Sequence, residues 1–335
     1  MIETLKKQWF VVLVAVICVS FVVFCVYDTN KGKLPGKKVD GKEVIATMND
    51  YTLTADDLYP VLYKNYSGTQ SLYLRFQNLV IEQSVETTDE LKTRAKEIAA
   101  SMQAQAESYA SSYGTTAEAM IQQQLTYYGF DSDDMDGYSL MAAKNEKLRN
   151  DYIDARLDEL YTPVYESTKP RIVSHILVNV KDINNPTEEE QKKIDAVEKA
   201  LKDGKDFAQV AKDYSDDTGS KENGGYLGYS DSNTNYVTSF KEKMLSMKAG
   251  EVSDWVKESN SSYSGWHKIM VTTTDKQELE DNKDKDVRNG IYSAIVKAND
   301  DLAFKYVWEA AQKLDITYAS DDVKKEIMNY MGIKE

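Results

Sequence analysis

A long apolar run near the start of the chain is its most continuous hydrophobic feature. Residues 9–27 carry no charge, and Ser20 is the one break among the apolar side chains. At the rise of an α-helix this run would extend about 28 Å, close to the hydrocarbon thickness of a bilayer. It therefore predicts a transmembrane helix within a membrane anchor of residues 1–30. A signal peptide is the alternative, because Lys6 and Lys7 precede the run, although no small-residue cleavage site follows it.

The pattern changes after a basic, Gly-containing stretch, residues 31–43, which is typical of a flexible tether. Residues 44–48 and 51–53 predict a short β-hairpin around Asn49 and Asp50. Apolar residues then recur every three or four positions on both sides of a middle segment, which indicates helices. Before the segment these residues are Tyr73, Phe76, Leu79, Val80, Leu91, Ala95, Ile98 and Met102; after it, Ile291, Ile295, Ala298, Leu302, Tyr306 and Ala310 form a predicted buried face.

A further apolar stripe lies in a stretch rich in Gln, Ala, Ser and Tyr. Its members are Ala106, Tyr109, Tyr113, Ile121, Leu125 and Tyr128. Helix core is the favoured interpretation, and a shallow aromatic cradle for other proteins is the alternative. Ser132 is predicted to cap the next helix, with acidic residues at the positive helix end. Thr162-Pro163 and Lys169-Pro170 are predicted to mark the boundary before the middle segment.

The composition limits the kinds of function. The net charge is −14, which argues against nucleic-acid binding because that needs a basic face. Both cysteines, Cys18 and Cys25, fall inside the first apolar run, so the rest of the chain has no disulfide, thiol catalyst or cysteine metal site. The acidic run after Phe130 does not match a calcium loop, because Met135 and Ala142 occupy positions that need oxygen ligands. No metal and no cofactor are expected.

The chain contains two histidines, and each lies in a strand-like run at one end of the middle segment. They are His175 and His267. Imidazole is the commonest side chain for proton and hydrogen-bond chemistry near neutral pH, so the pair could meet in space to form a site. Two unrelated, partly buried histidines, each hydrogen-bonded to backbone, are the alternative that spacing alone leaves open.

The middle segment resembles the parvulin family of peptidyl-prolyl isomerases. The matching stretches are Ser-His-Ile-Leu-Val at 174–178, Phe-Ala-Gln-Val-Ala-Lys-Asp-Tyr-Ser at 207–215, Ser-Asp-Asp at 215–217, Gly-Gly-Tyr-Leu-Gly at 224–228, Ala-Gly-Glu-Val-Ser at 249–253 and Gly-Trp-His-Lys-Ile at 265–269. The flanking parts resemble the helical chaperone domain of membrane-bound foldases of the PrsA and SurA type, through Val-Ile-Ala-Thr-Met at 44–48 and Asp-Asp-Leu-Tyr at 56–59.

The resemblance implies an α+β protein in which a parvulin domain, residues 169–275, is inserted into a helical chaperone domain. That helical domain would be built from residues 44–168 and 276–335. The parvulin domain would be a four-stranded antiparallel sheet surrounded by helices, with both histidines on neighbouring central strands. By position, the family implies catalytic roles for His175, His267 and Asp217, and substrate-binding roles for Leu227, Tyr236, Phe240 and Ser264. Tyr226 stands where the family commonly has an acidic residue.

The function implied is a peptidyl-prolyl isomerase and foldase that assists exported proteins. Its partners would be unfolded or partly folded polypeptides with X-Pro bonds, and residues 9–27 would contact the lipid bilayer. A homodimer is a further possible assembly. The soluble part would lie outside the cytoplasm of a bacterium, on a single-pass anchor, although lysines flank both ends of the anchor and leave its orientation open by charge. A holding chaperone with a weak or inactive parvulin module is the alternative, and an envelope scaffold is a third.

Overall fold

The computed structural model describes residues 38–39, 41–48, 51–54, 66–260, 263–318 and 320–333. Contacts divide the chain into two compact units. One comprises the residues up to Phe76 together with those from Tyr318 onward, and the other is Gln77–Thr317. The predicted transmembrane run, residues 9–27, lies outside the described residues, and none of the helices that are described is long and apolar enough to cross a membrane.

The first unit joins the two ends of the chain. Strands β1 (Lys38–Val39), β2 (Lys42–Met48) and β3 (Tyr51–Thr54) form an antiparallel sheet, with Met48 opposite Tyr51 as the hairpin prediction required. Helix α1 (Tyr66–Ser84) begins in this unit, and helix α12 (Asp321–Tyr330) follows near the end of the chain. The Tyr73 and Tyr330 rings lie 5.0 Å apart, so sequence-distant helices meet here.

The second unit contains the remaining helices and a second sheet. Its helices before the sheet are α2 (Asp89–Ala110), α3 (Ala117–Tyr127), α4 (Met135–Asp154) and α5 (Leu157–Thr168). Those after the sheet are α9 (Lys276–Glu280), α10 (Lys285–Ala298) and α11 (Leu302–Ala311). Most predicted core positions are buried, among them Leu91, Met102, Leu125, Ile291 and Ile295.

Four local predictions in the helical parts were wrong. Tyr109, Tyr113 and Tyr128 are 55%, 74% and 38% exposed, so half of the predicted stripe lies outside the core; Tyr113 lies beyond the end of α2, and Tyr128 follows the last residue of α3. Ala298 is exposed because it is the last residue of α10. Asp134, two residues beyond Ser132, caps α4 by accepting a hydrogen bond from the Gly137 amide.

The fourth concerns Pro163, which lies inside α5 and does not mark a boundary. A proline within a helix costs about 3 kcal/mol. Tyr161 and Val164 on either side of it are both buried, and burying side chains of this size contributes about 1.5–3 kcal/mol each. Packing therefore offsets the penalty. The boundary falls at Lys169, whose left-handed backbone (φ 52°) ends the helix before Pro170.

The middle segment forms the four-stranded antiparallel sheet that the resemblance implied. Its strands are β4 (Arg171–Asn179), β5 (Tyr226–Ser230), β6 (Val256–Asn260) and β7 (Tyr263–Thr273), in the spatial order β5-β4-β7-β6. Helices α6 (Glu188–Lys202) and α7 (Phe207–Tyr214) cover one face, and α8 (Thr238–Ser246) covers the other. Thr187 begins α6 with a capping box, because its hydroxyl accepts a hydrogen bond from the Glu190 amide while the Glu190 carboxylate accepts one from the Thr187 amide.

A buried arginine joins the first strand to the helix on the second face. Arg171 is 4% exposed, and its guanidinium donates hydrogen bonds to the carbonyl oxygens of Lys169, Met244 and Met247. These last two carbonyls belong to the C-terminal end of α8, where a cation also interacts favourably with the helix dipole. Arg171 therefore fixes the end of α8 to the start of β4.

Candidate active site

The two histidines face each other from the two central strands. His175 in β4 lies opposite Ile269, and His267 in β7 lies opposite Leu177. Because side chains alternate along a strand, both imidazoles share the face that carries Val173, Ile269 and Val271, beneath α8. Both histidines are buried, and their Nδ1 atoms lie 3.2 Å apart. The interpretation of two unrelated histidines was therefore wrong.

Asp217 extends this contact into a chain of three side chains. Its Oδ2 atom lies 2.8 Å from His175 Nε2. A carboxylate only accepts hydrogen bonds, so His175 Nε2 carries the proton and, in the neutral ring, His175 Nδ1 has a lone pair. His267 Nδ1 must then donate to it. The carboxylate therefore selects one tautomer for each histidine, the Nε2–H form for His175 and the Nδ1–H form for His267.

Burial keeps the inner histidine neutral. Desolvation, reinforced by the neighbouring His175, lowers the pKa of His267 to about 4, against a smaller opposing effect from Asp217. Burial alone would raise the pKa of Asp217, but hydrogen bonds from Ser220, His175 and the Gly219 amide outweigh it and lower that pKa. At neutral pH the site is therefore an ionised carboxylate hydrogen-bonded to His175, which in turn is hydrogen-bonded to a neutral His267.

An apolar wall stands next to the imidazoles. The Phe240 ring, from α8, packs edge-on at 5.8 Å from His175 and 5.3 Å from His267. Tyr236 packs edge-on against Phe240 at 4.9 Å, and its hydroxyl is within 2.9 Å of Ser230 Oγ. Leu227 packs against the same cluster. An apolar wall above a polar floor is an arrangement that could hold a proline ring and place its amide against the histidines.

A β-bulge brings Leu227 to this wall. Ser174 pairs with Tyr226 and Val173 with Gly228, so Leu227 is an extra residue without a partner on β4. Such a bulge changes the direction in which a side chain points. Just before it, Gly225 has φ 75°, and a Cβ there would lie 2.0 Å from the carbonyl oxygen of His175. The close approach of β5 to His175 therefore requires glycine.

Comparison with known proteins agrees with this geometry. Residues 175–273 match the family described as "Rotamase: PPIC-type PPIASE domain". The foldase protein PrsA of Geobacillus kaustophilus is 30% identical over 239 residues, covering 71% of this chain and 73% of the relative. This chain belongs to the PrsA family. PrsA of Streptococcus gordonii is 26% identical over 84% of this chain and 82% of the relative, and PrsA of Clostridium botulinum is 36% identical over 42% and 39%. The chain is a foldase-family protein with a peptidyl-prolyl isomerase domain.

The structure of this PrsA-family chain brings together six of the seven predicted site residues. Ser264 is the exception. Alternation along β7 places its side chain on the face of Trp266, which packs against the α6–α7 cluster, and so opposite to His267. Its hydroxyl is buried with no hydrogen-bond partner among the described residues. This geometry therefore does not bring Ser264 to the rim of the proline pocket, where it was predicted to lie.

Two site residues were missed from the sequence of this PrsA-family protein. Ser220 donates a hydrogen bond to Asp217 Oδ2, and the buried Ser215 hydroxyl accepts from the amides of Leu177 and Asp217. Ser215 ends the matching stretch at 207–215, but its residue type did not predict that its hydroxyl would connect the Asp217 loop to β4. Within the described residues, no group of three or more His, Cys, Asp or Glu side chains could hold a metal ion.

Proposed function

We propose that the isomerase reaction takes place where Asp217, His175 and His267 lie beneath Phe240, Tyr236 and Leu227. The observation that carries this proposal is the hydrogen-bonded chain from Asp217 to His267 directly against the Phe240 ring. The hydrogen-bonded chain supplies polar groups in fixed positions, and the Phe240 ring supplies an apolar contact beside them. A catalyst of rotation about an X-Pro bond needs both the polar groups and the apolar contact.

The reaction breaks no covalent bond. Resonance opposes rotation of a peptide bond with a barrier of about 18–20 kcal/mol, and X-Pro bonds interconvert slowly. An apolar wall that holds the ring and removes water from the amide lessens the stabilisation of the planar forms by solvent. Polar groups with fixed tautomers can then favour the twisted form over either planar one. The histidines act here as preorganised dipoles and as part of the fold.

The test is a pair of matched carboxylate substitutions in the full-length chain. Asp217→Asn keeps the size of the side chain but removes the charge that selects the His175 tautomer. A hydrogen bond to a charged group contributes about 1.5–3 kcal/mol, so we expect kcat/KM for a proline-containing peptide to fall at least about tenfold. Asp213→Asn, at an exposed position of α7, is the control and should leave the rate unchanged. Equal rates for the parent and Asp217→Asn would contradict the assignment.

We further propose that the natural substrates are exported polypeptides, met at the outer face of the cell membrane. Membership of the PrsA family and the apolar run at residues 9–27 support this location. Protease added to intact cells should degrade the soluble part and leave a small anchored fragment. Full protection until the membrane is permeabilised would refute it. The homodimer stays a prediction, which sedimentation of the detergent-solubilised chain would test.

A holding-chaperone activity is a second candidate, favoured by a separate observation. A cavity of about 350 Å³ lies between α2, α3 and α4, and its lining combines apolar residues such as Met102, Met120 and Ile121 with polar ones such as Gln105 and Gln124. Tyr113 and Tyr127, on the same two helices and the turn that joins them, are also exposed. Aromatic side chains with polar tips suit a surface that binds extended apolar segments. Suppression of aggregation that survives Asp217→Asn would separate this activity from the isomerase.

A further inference from the structure

Strand β5 carries the pocket residue Leu227, and β5 is an edge strand of its sheet. It pairs with β4 on one side, and it also contacts α10, a helix that follows the parvulin segment in sequence. An edge strand that is left uncovered can shift or pair with other chains. The contacts between α10 and β5 therefore bear on how firmly Leu227 is held.

These contacts involve the residues on either side of Leu227. The Tyr226 hydroxyl lies 3.2 Å from Asp284 Oδ2, and Asp284 is the residue that caps α10. Gly228 comes close to Asp286 in the first turn of the helix, since a Cβ on Gly228 would lie 3.8 Å from the Asp286 Cβ. Contacts with α10 thus lie immediately before and immediately after the bulged residue.

The closest contact is between Tyr229 and Gly290. A Cβ at Gly290 would lie 2.5 Å from both the Cβ and the Cγ atoms of Tyr229, which is too close for carbon atoms that are not bonded to each other. The Tyr229 ring therefore lies directly on the backbone of α10, and only glycine permits this separation. Glycine inside a helix is otherwise unfavourable relative to alanine, so its presence in the middle of α10 has a packing reason.

We propose that α10 is part of the isomerase site: by packing on Tyr226, Gly228 and Tyr229 it holds the bulge that presents Leu227 to the proline pocket. Tyr229 and Gly290 are positioning residues, since neither touches the substrate and both act through Leu227. The inference rests on the proposed active site. It implies that the functional isomerase module extends beyond residue 275 and includes a helix of the C-terminal part.

The test compares Gly290→Ala with Asn289→Ala in the full-length chain. Asn289 is the exposed neighbour on the same helix, and both changes raise helix propensity. Propensity alone predicts a higher melting temperature for both variants. Because the new methyl group at residue 290 must push Tyr229 away, we expect Gly290→Ala to lower the melting temperature and to reduce kcat/KM for a proline peptide about threefold or more. Asn289→Ala should keep the parental kcat/KM.

Two further measurements separate positioning from a general loss of structure. The methyl resonances of Leu227, assigned with Leu227→Ile, should shift in Gly290→Ala while the far-ultraviolet circular dichroism stays the same. Tyr226→Phe removes only the hydroxyl that faces Asp284, so it keeps the fold and should give a smaller loss of kcat/KM with a shift of the same methyls. If the parent is active and both variants, Gly290→Ala and Tyr226→Phe, keep its kcat/KM and its Leu227 resonances, this inference is overturned while the proposed function stands. A parent without isomerase activity would overturn the proposed function itself.

Discussion

The two-histidine composition of this chain allows the electrostatics of the site to be measured directly. The perturbation is a pH titration between about 7.5 and 4.5. His267 should stay neutral over most of this range, because burial lowers its pKa from 6.5 to about 4. The unfolded chain takes up a proton near pH 6.5 and the folded chain only near pH 4. The free energy of unfolding therefore falls as pH drops through this window, and a shift of this size corresponds to about 3 kcal/mol.

The assay is long-range proton–nitrogen correlation of the imidazoles, in which this chain gives two ring systems. At pH 7 we expect the Nε2–H tautomer for His175 and the Nδ1–H tautomer for His267. Asp217→Asn provides the control: the carboxylate favours the charged form of His267, so its removal should lower that pKa further. A His267 midpoint at or above about pH 6 would refute the effect of burial on its pKa. The opposite pair of tautomers would refute the hydrogen-bond direction deduced for the site.

Three further changes test the local geometry. Gly225→Ala places a methyl group 2.0 Å from the His175 carbonyl oxygen at φ 75°, so we expect loss of isomerase activity and a lower melting temperature; parental stability would contradict the close approach. Ser264→Ala should leave kcat/KM within about twofold of the parent, because the side chain lies on the opposite face, and a tenfold loss would return Ser264 to the site. Asp134→Ala should cost about 1 kcal/mol in chemical denaturation, and Asp134→Ser should recover most of it; equal losses would mean that capping is not the cause.

Features that depend on a few neighbouring residues were predictable from the sequence. Thr187 begins α6 because the side chains of Thr187 and Glu190 each accept a hydrogen bond from the other residue's backbone amide. Both residues lie within four consecutive positions, so the sequence alone indicates this helix start. The four-stranded sheet and the meeting of the histidines followed from resemblance over a continuous segment. By contrast, Asp134 and Ser132 are both good capping residues two positions apart, and the sequence alone does not choose between them.

Features that depend on contacts between distant segments were not predictable. Ser264 shares a strand with His267, but its face follows from their separation of three positions and from a hairpin that extends β7 as far as Tyr263. The bulge at Leu227 appears only when β4 and β5 are paired. The role of Gly290 in the middle of α10 requires the Tyr229 ring to be in place. For the bulge and for Gly290 the deciding partner is remote in sequence.

The buried guanidinium of Arg171 has a consequence for any attempt to excise or transplant the isomerase segment. One side chain satisfies the terminal carbonyls of the helix that carries Phe240, yet it belongs to the first residue of β4. A fragment that starts after Arg171 would leave those carbonyls without their donor, and α8, which carries Phe240, would be held less firmly at its C-terminal end. The start of β4 and the C-terminal end of α8 should accordingly open together, and their amides should exchange with deuterium as one cooperative unit.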